Sequence, residues 1–202
     1  MFDTRLRRLI DPPLDAAGRQ LAARGVTADA ITLAGFGVGL AGALAIALGH
    51  PGLAVVLILV NRLADGLDGA VARASHKTDR GGYLDIVLDF FFYGAVPFAF
   101  ALADTSTNAL AASALLLSFY MNGASFLGFS VMAAKRGMTT DIQGQKSLYY
   151  LGGLAEGAET IAVFLAMCLF PTAFAAIAWS FAAVCVVSAS ARVILVARML
   201  RE

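Results

Sequence analysis

Charge is scarce in this sequence. Only 14% of its 202 residues are Asp, Glu, Lys or Arg, and the net charge of +1 says little by itself because the distribution matters more than the sum; no nucleic-acid partner is expected. Cysteine is nearly absent too: Cys168 and Cys185 both lie in apolar runs, where they read as small hydrophobes and not as a disulfide or a metal site. Alternation with a period of two is missing, which excludes a transmembrane barrel. No cleavable leader is expected, because the first 24 residues are basic and are interrupted by Pro12 and Pro13 before any long apolar run begins. What remains is 59% hydrophobic, with a mean hydropathy of +0.78. Apolar runs of bilayer length, about 20 residues each, recur along the chain, and in lipid such segments must be helical.

The pattern predicts an all-α membrane protein, a bundle of six transmembrane helices over roughly 30–49, 53–73, 81–102, 109–133, 148–169 and 173–197. Three short connections, near residues 50, 104 and 170, carry no Lys or Arg. The cations fall in the other connections and at both ends of the chain: Arg5, Arg7, Arg8, Arg19, Arg24, Lys77, Arg80, Lys135, Arg136, Lys146, Arg198 and Arg201. The positive-inside rule then puts both termini in the cytoplasm. Residues 1–29 read as a cytoplasmic amphipathic segment lying on anionic lipid, with Leu6, Leu9 and Ile10 at helical spacing and Leu14, Ala17 and Leu21 resuming after the prolines. Residues 30–202 form the six-helix domain. Thr27 or Asp29 is the expected N-cap of the first span.

Gly37, Gly39 and Gly42 match a dinucleotide-binding fingerprint, but they sit in an apolar helix with no preceding strand. Gly35 and Gly39, four residues apart, fit close helix packing instead.

Against this apolar background the stretch DGLDGAVARASHKTDRGGYLDIVLD, residues 65–89, holds five aspartates, two arginines and a lysine. At about 1.5 Å per residue, Asp68 stands about 7–8 Å and Asp65 about 12 Å above Arg73, while Asp85 and Asp89 stand about 6 and 12 Å above Gly81 on the next span. The four carboxylates therefore meet level by level across a helical hairpin. Asp65, Asp68, Gly69 and Ala72 share one helix side, as do Asp85 and Asp89 on theirs. Four anions so close in low dielectric are either mostly protonated or separated by cations, and hard divalent ions with oxygen ligands suit them: Mg²⁺ first, Mn²⁺ or Ca²⁺ next. Gly69 and Ala72 leave room for a bulky group, and Arg73 at the mouth is suited to phosphate. A lipid-linked diphosphate fits that combination. A simpler pairing of one acid with Arg62, three residues before Asp65, is the ordinary alternative.

At these residues the sequence resembles the CDP-alcohol phosphatidyltransferase family, whose pattern D-x-x-D-G-x-x-A-R, spacer, G-x-x-x-D-x-x-x-D is met by Asp65, Asp68, Gly69, Ala72, Arg73, Gly81, Asp85 and Asp89. The stretches TDRGGYLDIVLDFFFYGAVP and KSLYYLGGLAEGAET are similar to a bacterial inner-membrane branch of it. The spacer from Ala74 to Arg80 is slightly shorter than the family usually has. The resemblance implies a reaction in phospholipid synthesis: a CDP-linked lipid, usually CDP-diacylglycerol, passes its phosphatidyl group to an alcohol and CMP leaves. It implies one or two Mg²⁺ or Mn²⁺ ions on Asp65, Asp68 and Asp85. Asp89 would complete that site and act as general base, and Gly69, Ala72, Arg73 and Gly81 would border the CDP moiety. It also implies a homodimer, with its active site opening to the cytoplasm.

Asn122, Ser125, Glu156, Glu159 and Arg192 fall at similar depth in later spans, Glu156 and Glu159 at about 12 and 16 Å along the fifth. Asn122, Glu156, Glu159 and Arg192 are candidates for an acceptor pocket, or the glutamates pair with Arg192 or Arg62 to hold the bundle together. A neutral polyol or amino alcohol suits carboxylates better than a phosphorylated alcohol. An intramembrane prenyltransferase and a divalent-cation transporter are the competing readings. The first usually splits its acidic motifs between distant spans, and the second has no need of Gly69, Ala72 and Arg73.

Overall fold

The computed structural model describes residues 2–137 and 157–201, with side chains from residue 10 onward. Among these residues every regular element is helical: α1 (Phe2–Ala23), α2 (Ala28–Ala47), α3 (Pro51–Ala74), α4 (Asp79–Ala103), α5 (Thr105–Lys135), α6 (Gly157–Leu169) and, after a 3₁₀ turn at Pro171–Ala173, α7 (Phe174–Met199). Among the described residues four stretches are long and apolar enough to cross a bilayer: α2, α4, α5, and α7 with its preceding turn. The second expected span, α3, has 24 residues, about 36 Å of helix, but its charges set it apart from those four. The first part of the fifth expected span, Glu156 included, lies outside the described residues.

Local chemistry sets the ends. Thr27 caps α2, its hydroxyl accepting from the Ala30 amide at 3.3 Å, while the other expected cap, Asp29, pairs with Arg80 at 3.5 Å. Thr78 caps α4 through the Gly81 amide at 3.0 Å, Asp104 caps α5 through the Thr107 amide at 3.1 Å, and Pro51 opens α3. α1 runs through both Pro12 and Pro13. Beyond the prolines it rests on α3, where a Cβ on Gly18 would come within 2.7 Å of Ala70 and one on Gly66 within 2.8 Å of Leu14.

Small residues let the membrane helices approach closely. A Cβ on Gly35 would meet that of Ala64 at 2.7 Å, and one on Gly39 would meet Phe92 at 2.8 Å, so these glycines serve contact between α2, α3 and α4. Aromatic rings fill the centre: Phe164 packs edge-on against Phe92, Tyr93 and Phe119, and Phe100 stacks on Phe174 with centroids 4.4 Å apart. Cys168 and Cys185 are free and buried, as small hydrophobes should be. Large apolar side chains such as Leu44, Leu59, Phe91 and Leu117 stay exposed on the outer faces, which suits a surface solvated by lipid tails.

The start of α4 is tied to the start of α2 by Arg80 and Asp29, and the end of α3 to α1 by Arg73 and Asp15 at 2.7 Å. Arg136 donates to the Leu200 carbonyl at 2.7 Å, joining the ends of α5 and α7.

Candidate active site

The four aspartates of the charged stretch line one cleft between α2, α3 and α4, walled also by Thr32, Gly35, Phe36, Asn61, Arg62, Leu88 and Phe92. Helix periodicity is the cause. Asp65 and Asp68 share a face of α3, Asp85 and Asp89 share a face of α4, and the close approach permitted at Gly35 and Gly39 brings α2 against both.

Each carboxylate has its own surroundings. Asp68 is buried and accepts a 2.6 Å hydrogen bond from the Thr32 hydroxyl, whose oxygen also lies 3.0 Å from the Ala28 carbonyl within α2. Asp89 accepts from Arg62 Nη2 at 2.8 Å, and Tyr93 stands one turn further along α4. Asp65 lies 3.7 Å from Arg62 Nη1. Asp85 is exposed. Thr32, Asn61, Arg62 acting on Asp89, and Tyr93 were not singled out from the sequence. The available signal was polarity at membrane depth, which says that a residue faces inward but not what it meets.

The other expected site residues divide. Gly69, Ala72, Arg73 and Gly81 are not walls of the cleft but sit nearer the helix ends. A Cβ on Gly69 would come 3.3 Å from the Arg73 guanidinium, and one on Gly81 would come 3.1 Å from both Asp29 Oδ1 and Thr78 Oγ1. Arg192 and Asn122 do meet: Arg192 Nη1 donates to Asn122 Oδ1 at 2.9 Å, to its carbonyl at 3.1 Å and to Ser125 Oγ at 2.9 Å. Neither lines the cleft. Glu159 does not line it either, and one of its carboxylate oxygens is buried without a hydrogen-bond partner. Glu156 lies outside the described residues. The start of α6 approaches the site from behind, where a Cβ on Gly157 would come 3.4 Å from the Tyr93 hydroxyl.

The donor set suits a hard divalent cation: only oxygens, with four carboxylates against one arginine. Among the described residues no three of these acids are gathered closely enough to form a finished metal site. Thr32 and Arg62 engage three of them, Asp68, Asp65 and Asp89.

Residues 25–190 match the family model for CDP-alcohol phosphatidyltransferase. The chain is 49% identical over 193 residues to the inner membrane protein YnjF of Escherichia coli strain K12, covering 96% of this chain and 94% of that one. It is 33% identical over 100 residues to the archaetidylinositol phosphate synthase of Pyrococcus horikoshii, covering 49% of this chain and 53% of the other. The phosphatidylinositol phosphate synthase PgsA1 of Mycobacterium tuberculosis, solved with CDP-DAG bound, shares the fold with a TM-score of 0.64 at 23% identity, over 91% of this chain and 92% of that one. The family is generally dependent on divalent metal. On the match that spans residues 25–190, this chain belongs to the CDP-alcohol phosphatidyltransferases, enzymes that transfer a substituted phosphate from a CDP-linked lipid to an alcohol and release CMP.

Proposed function

We propose that this chain transfers the phosphatidyl group of CDP-diacylglycerol to a small alcohol at the cytoplasmic face of a bacterial inner membrane. The observation that carries this is one cleft lined by Asp65, Asp68, Asp85 and Asp89. Asp65, Asp68 and Asp85 would hold one or two Mg²⁺ or Mn²⁺ ions, with Asp89 completing the set. When bound, the metal neutralises the diphosphate and the charge that gathers on departing CMP. Asp89 takes the proton of the acceptor hydroxyl as its oxygen bonds to phosphorus and the bond from phosphorus to the CMP oxygen breaks. Gly69, Ala72, Arg73 and Gly81 border the CDP moiety, and Arg73 exchanges Asp15 for phosphate.

Six helices span the membrane in this reading, with both termini cytoplasmic. The segment 1–29 rests at the lipid surface, and the enzyme pairs with a second copy. Glu156, Glu159, Asn122 and Arg192 face the acceptor. The unpartnered Glu159 oxygen supports a neutral polyol or an amino alcohol, since a carboxylate takes charge-assisted hydrogen bonds from such groups and repels a phosphorylated alcohol.

The test is to incubate the purified chain with CDP-diacylglycerol, Mg²⁺ or Mn²⁺ and a panel of alcohols, following CMP by chromatography. CMP release that requires donor, cation and one class of alcohol is expected. No release across the panel, or cation passage into vesicles without CMP, would overturn the reading.

A further inference from the structure

A single cation stands among the acids of the cleft. Arg62 Nη2 lies 2.8 Å from Asp89 Oδ1 and Nη1 lies 3.7 Å from Asp65 Oδ2, so one guanidinium is ion-paired with an acid of α3 and an acid of α4. Its Nε donates to Asn61 Oδ1 at 2.9 Å, and Asn61 Nδ2 donates in turn to the Gly35 carbonyl of α2, also at 2.9 Å. A carbonyl can only accept, so the amide nitrogen must face Gly35, and Oδ1 is left for Arg62. The guanidinium carbon stands 5.0 Å from the Phe92 ring centroid and 5.8 Å from that of Tyr93, within the range of cation–π attraction. The Arg62 side chain is only 18% exposed, so little water screens its charge.

Arginine keeps its charge in any protein environment, so the positive charge in this cleft is permanent. It offsets part of the repulsion among four carboxylates that are held together away from water. Of each paired acid it takes one oxygen, Asp89 Oδ1 and Asp65 Oδ2, and the second oxygen of each is not engaged by it. Both acids can therefore still serve a divalent ion, but that ion must enter beside a positive charge already in place.

We infer that Arg62 is the resident counter-cation of the site: it balances Asp65 and Asp89 before a divalent ion binds, and it lowers the affinity of those same acids for the ion. This rests on the reading of the site given above and adds what sets its metal affinity. The cleft is then stable before it is loaded, and it loads at a higher cation concentration than its four acids alone would need. A residue that only oriented the acids would act in the opposite direction, since its loss would weaken metal binding.

The experiment compares the full native chain in detergent with Arg62→Gln, which removes the charge, and Arg62→Lys, which keeps it. Mn²⁺ binding is followed by electron paramagnetic resonance, and thermal unfolding is followed in excess EDTA. Arg62→Gln should bind Mn²⁺ about tenfold more tightly, the lower end of what one unit charge a few ångströms away does to a carboxylate. In EDTA it should unfold at least about 2 °C below the native chain, because Asp65 and Asp89 have lost their partner. Arg62→Lys should bind Mn²⁺ as the native chain does. If Arg62→Gln does not fold without metal, its affinity is read by chelator competition on protein purified with Mn²⁺. Unchanged or weaker Mn²⁺ binding in Arg62→Gln overturns the inference, as does unfolding of that variant in EDTA at or above the native temperature. Equal tightening in Arg62→Lys, or no Mn²⁺ binding by any of the three chains, also overturns it. Failure of the transfer reading is distinguishable, for it would show as absent CMP release by the native chain, while the Mn²⁺ comparison needs no turnover.

Discussion

The two ends of the helical bundle are built on different principles. Around Thr32, Asn61, Arg62, Asp65, Asp68, Asp85 and Asp89, polar groups face one another across α2, α3 and α4, and hydrogen bonds between helices fix the geometry. Toward the other end, Ile46, Ala54, Ile58, Val96, Phe100, Phe164 and Phe174 are almost fully buried, and the contacts are rings and small aliphatic groups. The acidic end costs stability, because like charges are held together away from water. The apolar end supplies packing that offsets that cost. Activity and stability therefore depend on separate sets of residues, and substitutions at the two ends should be separable by experiment.

The largest expected effect breaks the acidic end. Asp65→Asn, Asp68→Asn and Asp85→Asn should each lower metal-dependent CMP release by about 10³-fold, on the scale of losing one preorganised electrostatic group, while thermal unfolding in detergent stays the same or shifts upward as repulsion falls. Asp89→Asn should lose transfer by about 10²-fold or more yet retain CDP-lipid binding, because the proton acceptor has gone while the other three carboxylates remain. Loss of donor binding in that variant would place Asp89 among the metal ligands. Near-native turnover in any of the first three would remove that residue from the shared site.

A smaller effect, of opposite kind, breaks the apolar end. Phe174 stacks on Phe100 and is fully buried, so Phe174→Ala should destabilise the fold by about 3–5 kcal/mol, the range for emptying an aromatic site. CMP release per folded molecule should be unchanged. A fall in turnover without loss of stability would mean that the two ends are coupled.

The smallest effect lies at the turn between α4 and α5. Hydrogen bonds from the Ser106 hydroxyl at 2.8 Å and the Thr107 amide at 3.1 Å hold the Asp104 carboxyl below its ordinary pKa. A depressed folded value means that this cap stabilises above the ordinary carboxylate range and is lost as pH falls through the lowered value. Asp104→Ala should therefore unfold slightly more easily than the native chain near neutrality and match it in strong acid, with CMP release unchanged. Unfolding followed against pH measures the difference, and a gap that persists in strong acid would contradict the cap.

Much of this was legible in the sequence, because helices are local. Bilayer-length apolar runs dictate helical spans, and the observed α2, α3, α4, α5 and α7 differ from the expected limits by only a few residues. The spacing of Asp65 with Asp68, and of Asp85 with Asp89, sets each pair on one helix face whatever the rest of the chain does. Pro12 and Pro13 oppose a helix locally, yet α1 continues through them and its later half docks on α3 at Ala70 and Gly66. Choice of partner is likewise not local. That Asp68 takes Thr32, that Arg62 takes Asp89 at 2.8 Å in preference to Asp65 three residues away, and that Asn61 turns its amide to Gly35 all depend on the distances and rotations between α2, α3 and α4. Periodicity along one helix carries no information about those quantities. The sequence alone thus determined which residues share a helix face, and the tertiary structure decided which of them meet, because a hydrogen bond across helices is set by ångström-scale approach at glycines such as Gly35 and Gly39.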